Sequence, residues 1–111
     1  MEQTGRLGEF EAMVLATVIR EGDQANGVAV FDSLTATAGH TVSLPAVHVT
    51  LRRLEDKGLL TSDLGTSSDR GGRPRRFYKA TPAGVRAAAE FRDMWRRVWR
   101  GLSLPESDST R

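Results

Sequence analysis

Arginine is the residue type through which this sequence could do chemistry. Four arginines crowd one glycine-rich segment: Arg70, Arg73, Arg75 and Arg76. Their guanidinium groups repel one another unless an anion lies among them, and each offers planar donors that suit a phosphate. A solvated loop is the alternative, and Arg76 could instead point inward from the strand that follows. Pro74 restricts the segment and so lowers the entropy lost when an anion orders it.

A second basic group stands in a segment with helical periodicity. Arg52 and Arg53 project to the flanks of this predicted helix, where guanidinium groups reach phosphates or guanine edges. Pairing with Glu55 or Asp56 is the alternative. The other candidates for contact with DNA are the helix cap and the short or polar side chains of the same helix: Ser43, Ala46, His48, Val49 and Thr50. The alternative is that these residues form an ordinary solvent-exposed face, and that His48 only packs against its neighbours.

Enzyme chemistry lacks its usual residues in this chain. The sequence has no cysteine, which excludes disulfides, thiolate metal ligands and a cysteine nucleophile. Its two histidines, His40 and His48, are too few for a metal site on their own. Gly71 and Gly72 do not make a phosphate loop, because neither a strand-to-helix junction nor a lysine accompanies them. We therefore expect no enzyme, no metal site and no cofactor.

Composition and charge predict a globular protein with a basic middle. The 111 residues suffice for one domain, and 39% hydrophobic and 27% charged residues are ordinary for a soluble protein. Residues 1–42 contain two Lys/Arg and six Asp/Glu, whereas residues 43–86 contain nine and four. The sequence shows no signal-peptide pattern and no membrane-spanning run, so we expect a cytoplasmic protein. The basic middle favours a nucleic-acid partner, with a solvated basic face as the alternative.

Apolar residues at helical spacing predict two helices before the basic region. The first covers residues 7–21. Asn26 is a suitable N-cap for the second helix, and Gly39 ends it. Thr41 and Val42 favour β-structure but are too few for more than a short strand. Two packed helices and a short strand should therefore precede the basic helix.

The basic segments fall on a third helix and on a β-hairpin. Ser43 can cap the third helix, and Gly58 ends it after Lys57. Residues 59–64 and 77–80 then predict two short strands, with the arginine-rich loop between them. The loop is too long for a tight turn, so we expect it to project from the hairpin.

A last helix begins at Thr81 and Pro82, which suit a cap and a first helical position. Its apolar stripe is broader than a small domain needs to cover itself, which predicts a partner surface. We expect a homodimer held by this helix with a contribution from the first helix: Phe10, Val85, Ala88, Phe91, Trp95, Val98, Trp99 and Leu102. Residues 105–111 are short and polar, which predicts a disordered tail.

The predicted order of elements is that of a winged helix-turn-helix domain, an α+β fold that is mainly α. Within it, residues 51–60 (LRRLEDKGLL) and residues 72–84 (GRPRRFYKATPAG) resemble the PadR-like family of transcriptional regulators. The resemblance spans roughly residues 7–86. The chain then divides into a winged-helix DNA-binding domain at 1–81, a C-terminal dimerisation helix at 82–104 and a tail at 105–111.

The resemblance implies a sequence-specific regulator, usually a repressor, that acts as a homodimer on a near-palindromic operator. Its third helix is expected in the major groove of double-stranded DNA, with the wing (the hairpin and its loop) on the backbone or minor groove. Short members of the family can stack a flat aromatic effector on tryptophans of the last helix, here Trp95 and Trp99. Arg96, Arg97 and Arg100 would flank that opening.

Two positions depart from the family pattern. His48 stands in the third helix, and Val28 at the start of the second, where the family commonly has tyrosine. The DNA contacts of those tyrosines are therefore not transferred to this chain by resemblance alone. The alternative function is a protein-interaction module that keeps the winged-helix shape without binding DNA. The arginines of the wing weigh against it.

Overall fold

The chain folds into helices with one hairpin near its middle. The computed structural model describes residues 7–65 and 74–105. In chain order the elements are α1 (Glu9–Glu21), a 3-10 turn (Gly22–Gln24), α2 (Gly27–Ala38), α3 (Leu44–Asp56), β1 (Leu60–Leu64), β2 (Arg76–Ala80) and α4 (Pro82–Trp99). The predicted winged-helix order, mainly α with a β-hairpin, is confirmed.

Local capping explains where three of the helices begin. The side-chain oxygens of Asn26, Ser43 and Thr81 accept hydrogen bonds from backbone N–H groups three residues further on, at 2.9, 3.1 and 2.9 Å. Each of these residues has an extended backbone, as N-caps require. Gly39 ends α2 with φ of 84°, a left-handed conformation that glycine adopts without steric cost. The predicted caps are therefore confirmed.

The first helix begins later than predicted, and the predicted short strand is not formed. α1 starts at Glu9 because Leu7 turns into the core instead of joining the helix. Residues 41 and 42 have no strand structure. A strand needs a neighbour to pair with, and β2 pairs instead with the residue before α2, through an antiparallel bridge between Asn26 and Phe77.

The core lies between the first three helices and the hairpin. Its fully buried side chains are Leu15, Leu51, Leu54, Leu60, Val14, Val18, Val30 and Val47. The start of α4 packs on the junction between α3 and β1, where a Cβ on Gly84 would collide with the carbonyl oxygen of Leu59. Thr81 strengthens this junction by donating its hydroxyl to the carbonyl of Gly58 at 2.8 Å. Backbone therefore meets backbone at the base of α4.

The last helix is shorter than the predicted stripe. α4 ends at Trp99, and Gly101 follows with φ of 74°. Leu102, predicted as part of the helical stripe, therefore lies beyond the helix, because glycine in the left-handed region turns the chain away. Within the described residues no helix is long and apolar enough to cross a membrane.

Candidate nucleic-acid interface

One face of α3 is buried and the others are polar. Thr50 belongs to the buried face, with 4% of its surface exposed, and shares it with Val47 and Leu54. The prediction that Thr50 contacts DNA is therefore wrong. Thr50 lies three residues after Val47 and four before Leu54, a spacing that turns its side chain into the core.

The side of α3 away from the core carries the exposed basic residues. Arg52 and Arg53 are exposed, and neither forms an ion pair with a carboxylate of the described ranges. Arg52 and Arg53 therefore do not form the alternative ion pairs with Glu55 or Asp56. Val49 lies on the same outer side with 55% of its surface exposed. Two further predicted contacts lie near the start of the helix, the exposed cap Ser43 and the half-buried Ala46.

The flank of α3 nearest the wing carries His48. Its ring is exposed but lies against the start of α2, where a Cβ on Gly27 would collide with the imidazole. His48 therefore packs on α2 and remains accessible at the surface. Among the described residues no group of three His, Cys, Asp or Glu side chains could hold a metal ion.

A small cavity of about 170 Å³ opens between α2, α3 and β2. It is lined by Asn26, Gly27, Val28, His48, Arg75, Arg76 and Tyr78. The two positions that depart from the family pattern, Val28 and His48, thus meet at one place beside the wing. The sequence alone does not show that these two positions are neighbours.

Arg75 and Arg76 lie at the far end of the hairpin. β1 and β2 pair antiparallel from Leu60 with Ala80 to Leu64 with Arg76, and the backbone N–H of Gly65 donates to the carbonyl of Arg75 at 2.7 Å. Both Arg75 and Arg76 are exposed. Arg70 and Arg73, also predicted to contact DNA, lie outside the described residues.

A hydrogen-bond chain, absent from the sequence analysis, joins the wing to α3. Arg76 Nη1 donates to Ser62 Oγ at 2.9 Å, and Ser62 Oγ donates to Glu55 Oε2 at 2.8 Å. Tyr78 lies in the same region: burial, and after it the Glu55 carboxylate, raises the pKa of its hydroxyl, against the opposing charges of Arg76 and Arg52. The inner side of the wing and α3 therefore share one set of interacting charges.

An ion pair ties the end of α3 to the start of α1. Lys57 Nζ donates to both carboxylate oxygens of Glu11, at 3.0 and 2.9 Å, and the N–H of Gly8 donates to Glu11 as well, at 3.0 Å. Burial raises the pKa of Glu11, but the Gly8 N–H and the Lys57 ammonium outweigh it and hold that pKa below its usual value. No local sequence pattern predicts this pair, because Glu11 and Lys57 lie 46 residues apart.

The far half of α4 carries a row of exposed aromatic side chains. The rings of Phe91 and Trp95 stack at 5.7 Å, and those of Trp95 and Trp99 are 6.2 Å apart with a tilt of 36°. Trp95 is 44% exposed and Trp99 45%, with Val98 more exposed still. The stripe predicted from the sequence is therefore present and open to solvent at its end.

A groove of about 530 Å³ runs between α1 and α4. Its walls are Glu9, Ala12, Met13 and Ala16 of α1 and Ala88, Phe91, Arg92, Trp95 and Arg96 of α4. Phe10, predicted for the dimer interface, packs against the chain's own core beside it. Val85 stands apart from the stripe, because it lines another cavity together with Ile19 and Lys79. Arg97 and Arg100 are exposed near the end of α4.

Comparisons with known proteins agree with this geometry. A family model described as "Transcriptional regulator PadR-like family" matches residues 14–90. The chain is 46% identical over 76 residues to the transcriptional regulator Rv3488 of Mycobacterium tuberculosis, covering 65% of this chain and 68% of that protein. The family-model match runs from within α1 into α4.

Solved structures share the fold. A PadR family transcriptional regulator from Eggerthella lenta superposes with a TM-score of 0.66 at 28% identity, covering 84% of this chain and 81% of that one. Bacillus subtilis PadR in complex with operator DNA superposes with a TM-score of 0.64 at 16% identity, covering 88% of this chain and 52% of that one. The matched relatives are regulators and none is described as an enzyme.

Proposed function

The chain belongs to the transcriptional regulator PadR-like family, and on that premise we propose that it is a homodimeric repressor of a near-palindromic operator. Residues 1–81 would form the DNA-binding domain and α4 (Pro82–Trp99) the dimerisation helix. The observation that carries the proposal is the exposed outer side of α3, where Arg52 and Arg53 have no carboxylate partner in the described ranges. The absence of enzyme chemistry expected from the sequence agrees with the family.

On DNA, α3 would lie in the major groove. Val49 and Ala46 are short enough to bring the helix close to base edges, while Arg52 and Arg53 reach guanine or phosphate on either side. Arg75 would meet the backbone from the wing, with Arg70 and Arg73 of the loop as further candidates. The Bacillus subtilis relative, solved with operator DNA, supports this use of the fold. Binding should therefore weaken steeply with salt.

The dimer is proposed from the exposed end of α4. Trp95, Val98 and Trp99 form an apolar row in water on one side of the helix, and the α1–α4 groove lies next to it. Apolar surface of this kind gains about 25 cal/mol per Å² when it is covered, so a second copy stabilises it. Two copies related by a two-fold axis place two recognition helices about 34 Å apart on DNA, which matches a near-palindromic site.

A small flat aromatic effector is a further part of the proposal. The α1–α4 groove, at about 530 Å³, is large enough for a small ligand. Trp95 and Trp99 are almost half exposed and so offer ring surface for stacking, and Trp95 and Arg96 line the groove. Such a ligand would act by changing how the two copies pair and so the distance between their α3 helices.

A binding titration tests the proposal. The purified chain is titrated onto DNA from its own promoter region and onto an unrelated duplex of equal length, each at two salt concentrations. We expect a preference for promoter DNA and a loss of affinity at the higher salt. No binding to either duplex at either salt would contradict the proposal and favour a protein-interaction module.

A further inference from the structure

The hydrogen-bond chain between the wing and α3 has a fixed direction. The hydroxyl of Ser62 has one proton, which it donates to Glu55 at 2.8 Å, and it accepts from the guanidinium of Arg76 at 2.9 Å. The guanidinium can only donate and the carboxylate can only accept, so the two hydrogen bonds of the hydroxyl cannot reverse their direction. We refer to these three side chains, Arg76, Ser62 and Glu55, as the relay.

The relay acts at the end of the hairpin nearest the arginine-rich loop. Ser62 pairs with Tyr78, and Arg76 pairs with Leu64 in the last pair of the ladder, so the relay crosses the two strands diagonally. β2 is also held near its middle, because its Tyr78 N–H donates to the carbonyl of Ala25 at 2.9 Å. Among the described residues, the relay adds side-chain hydrogen bonds to the backbone bonds that hold the loop end of the hairpin.

The relay also explains a carboxylate on a surface proposed to face DNA. Glu55 lies on the flank of α3 beside Arg52, where a negative charge would repel phosphate. Its oxygen instead accepts from Ser62 in a half-buried position. One N–H of Arg76 is likewise committed to Ser62 rather than directed into solvent.

We propose that Ser62 and Glu55 are positioning residues for operator binding, and that Arg76 acts through them to hold the wing against α3 rather than by binding a phosphate. This inference rests on the proposed function. A wing already placed relative to α3 loses less conformational freedom when both meet DNA, so operator affinity rises without an added contact. Binding to unrelated DNA depends on charge and does not require that placement.

The first test uses Ser62→Ala, which removes the relay without changing charge. We expect operator affinity to fall about fivefold, since two bonds to charged groups are lost but the backbone ladder remains. Affinity for an unrelated duplex should not change. Ser62→Thr keeps the hydroxyl and suits a strand, so it should restore operator affinity. Thr61→Ala is the matched control on the opposite face of β1. A thermal melt of each variant checks that the fold is retained.

Glu55→Met is a second variant, because it removes the charge and leaves Ser62 only a weak acceptor. Two models of the Glu55 role expect different results from it. If the carboxylate merely repelled DNA, its removal would tighten binding to every duplex. If it positions the wing, the ratio of operator affinity to unrelated affinity falls. A tighter and equally selective Glu55→Met variant would overturn the inference.

The salt dependence separates Arg76 from its neighbour Arg75. Removing a phosphate contact lowers the slope of log affinity against log salt by about 0.9 for each contact. We expect this for Arg75→Ala and an unchanged slope for Arg76→Ala. Equal losses of slope in both variants would show Arg76 to be a phosphate contact and overturn the inference.

The outcomes also distinguish this inference from the proposed function. A wild-type chain that binds operator and unrelated DNA equally contradicts both. A wild-type chain that prefers its operator, with a preference that Ser62→Ala leaves intact, contradicts the inference alone.

Discussion

The two faces proposed to bind partners are built in opposite ways. The face made by α3 and the wing is mainly polar: the relay is held by bonds within the chain, whereas Arg52 and Arg53 are exposed and have no carboxylate partner in the described ranges. The end of α4 is apolar, and Trp95 and Trp99 stand almost half exposed. In the absence of DNA, charged groups are stabilised by water or by bonds within the chain. An apolar stripe, by contrast, is stabilised only when another surface covers it. Salt concentration should therefore control DNA binding by the first face, and protein concentration should control self-association through the second.

The largest expected effect comes from removing the apolar side of this comparison. The double substitution Trp95→Ala and Trp99→Ala should weaken self-association by at least about a thousandfold. A symmetric dimer would bury both tryptophans of both copies, so each substitution removes two interface side chains. Analytical ultracentrifugation over a dilution series measures it. Val85→Ala is the control, since Val85 is equally exposed but lines a different cavity. An intact dimer in the tryptophan variant would contradict the proposed interface.

The second prediction removes charge from the polar face. Arg52→Ala combined with Arg53→Ala should lower operator affinity about a hundredfold and reduce the salt slope, while self-association stays unchanged. Fluorescence anisotropy at several salt concentrations measures the affinity and slope. Arg86→Ala, an exposed arginine on α4, should change neither. An altered monomer–dimer equilibrium in the α3 variant would show that the two faces are not independent.

The smallest expected effect concerns the ion pair behind α3. Glu11→Gln should destabilise the fold by about 1 kcal/mol at neutral pH, since the Lys57 ammonium loses its charged partner. The pKa of Glu11 is lowered in the folded chain, so its contribution is present above the unfolded-state pKa and is lost as pH falls through the folded-state value. Urea unfolding at neutral pH and near pH 3 measures this.

The control for that prediction is Glu9→Gln, which changes an exposed carboxylate in the same turn of α1. We expect Glu9→Gln to leave stability at neutral pH unchanged. A difference between wild type and Glu11→Gln that persisted undiminished in acid would mean that the pair contributes through packing and not through charge.

Local chemistry made much of the fold predictable from the sequence. Asn26, Ser43 and Thr81 are caps whose partners lie three residues away, so the sequence contains both ends of each bond. Thr50 could also have been placed correctly, because its spacing from Val47 and Leu54 puts it on the buried face.

Other features depend on how distant segments meet. Glu55, Ser62 and Arg76 come together only through the register of the hairpin and its packing on α3, which no local pattern specifies. The bridge between Asn26 and Phe77 has the same origin, since it depends on which segment lies beside β2. The sequence predicts the elements well and the contacts between them poorly.

The close approach of Gly84 to Leu59 has a mechanical consequence. Backbone meets backbone at this contact with no side chain between. The base of α4 is therefore held closely to the junction of α3 and β1, and α4 acts as a lever on that junction. The lever has 18 residues and is therefore about 27 Å long, so a rotation of about 10° at its base moves its far end by about 5 Å. In a dimer joined at the far ends of its two α4 helices, a small shift between the tryptophans of the two copies would therefore rotate each DNA-binding domain.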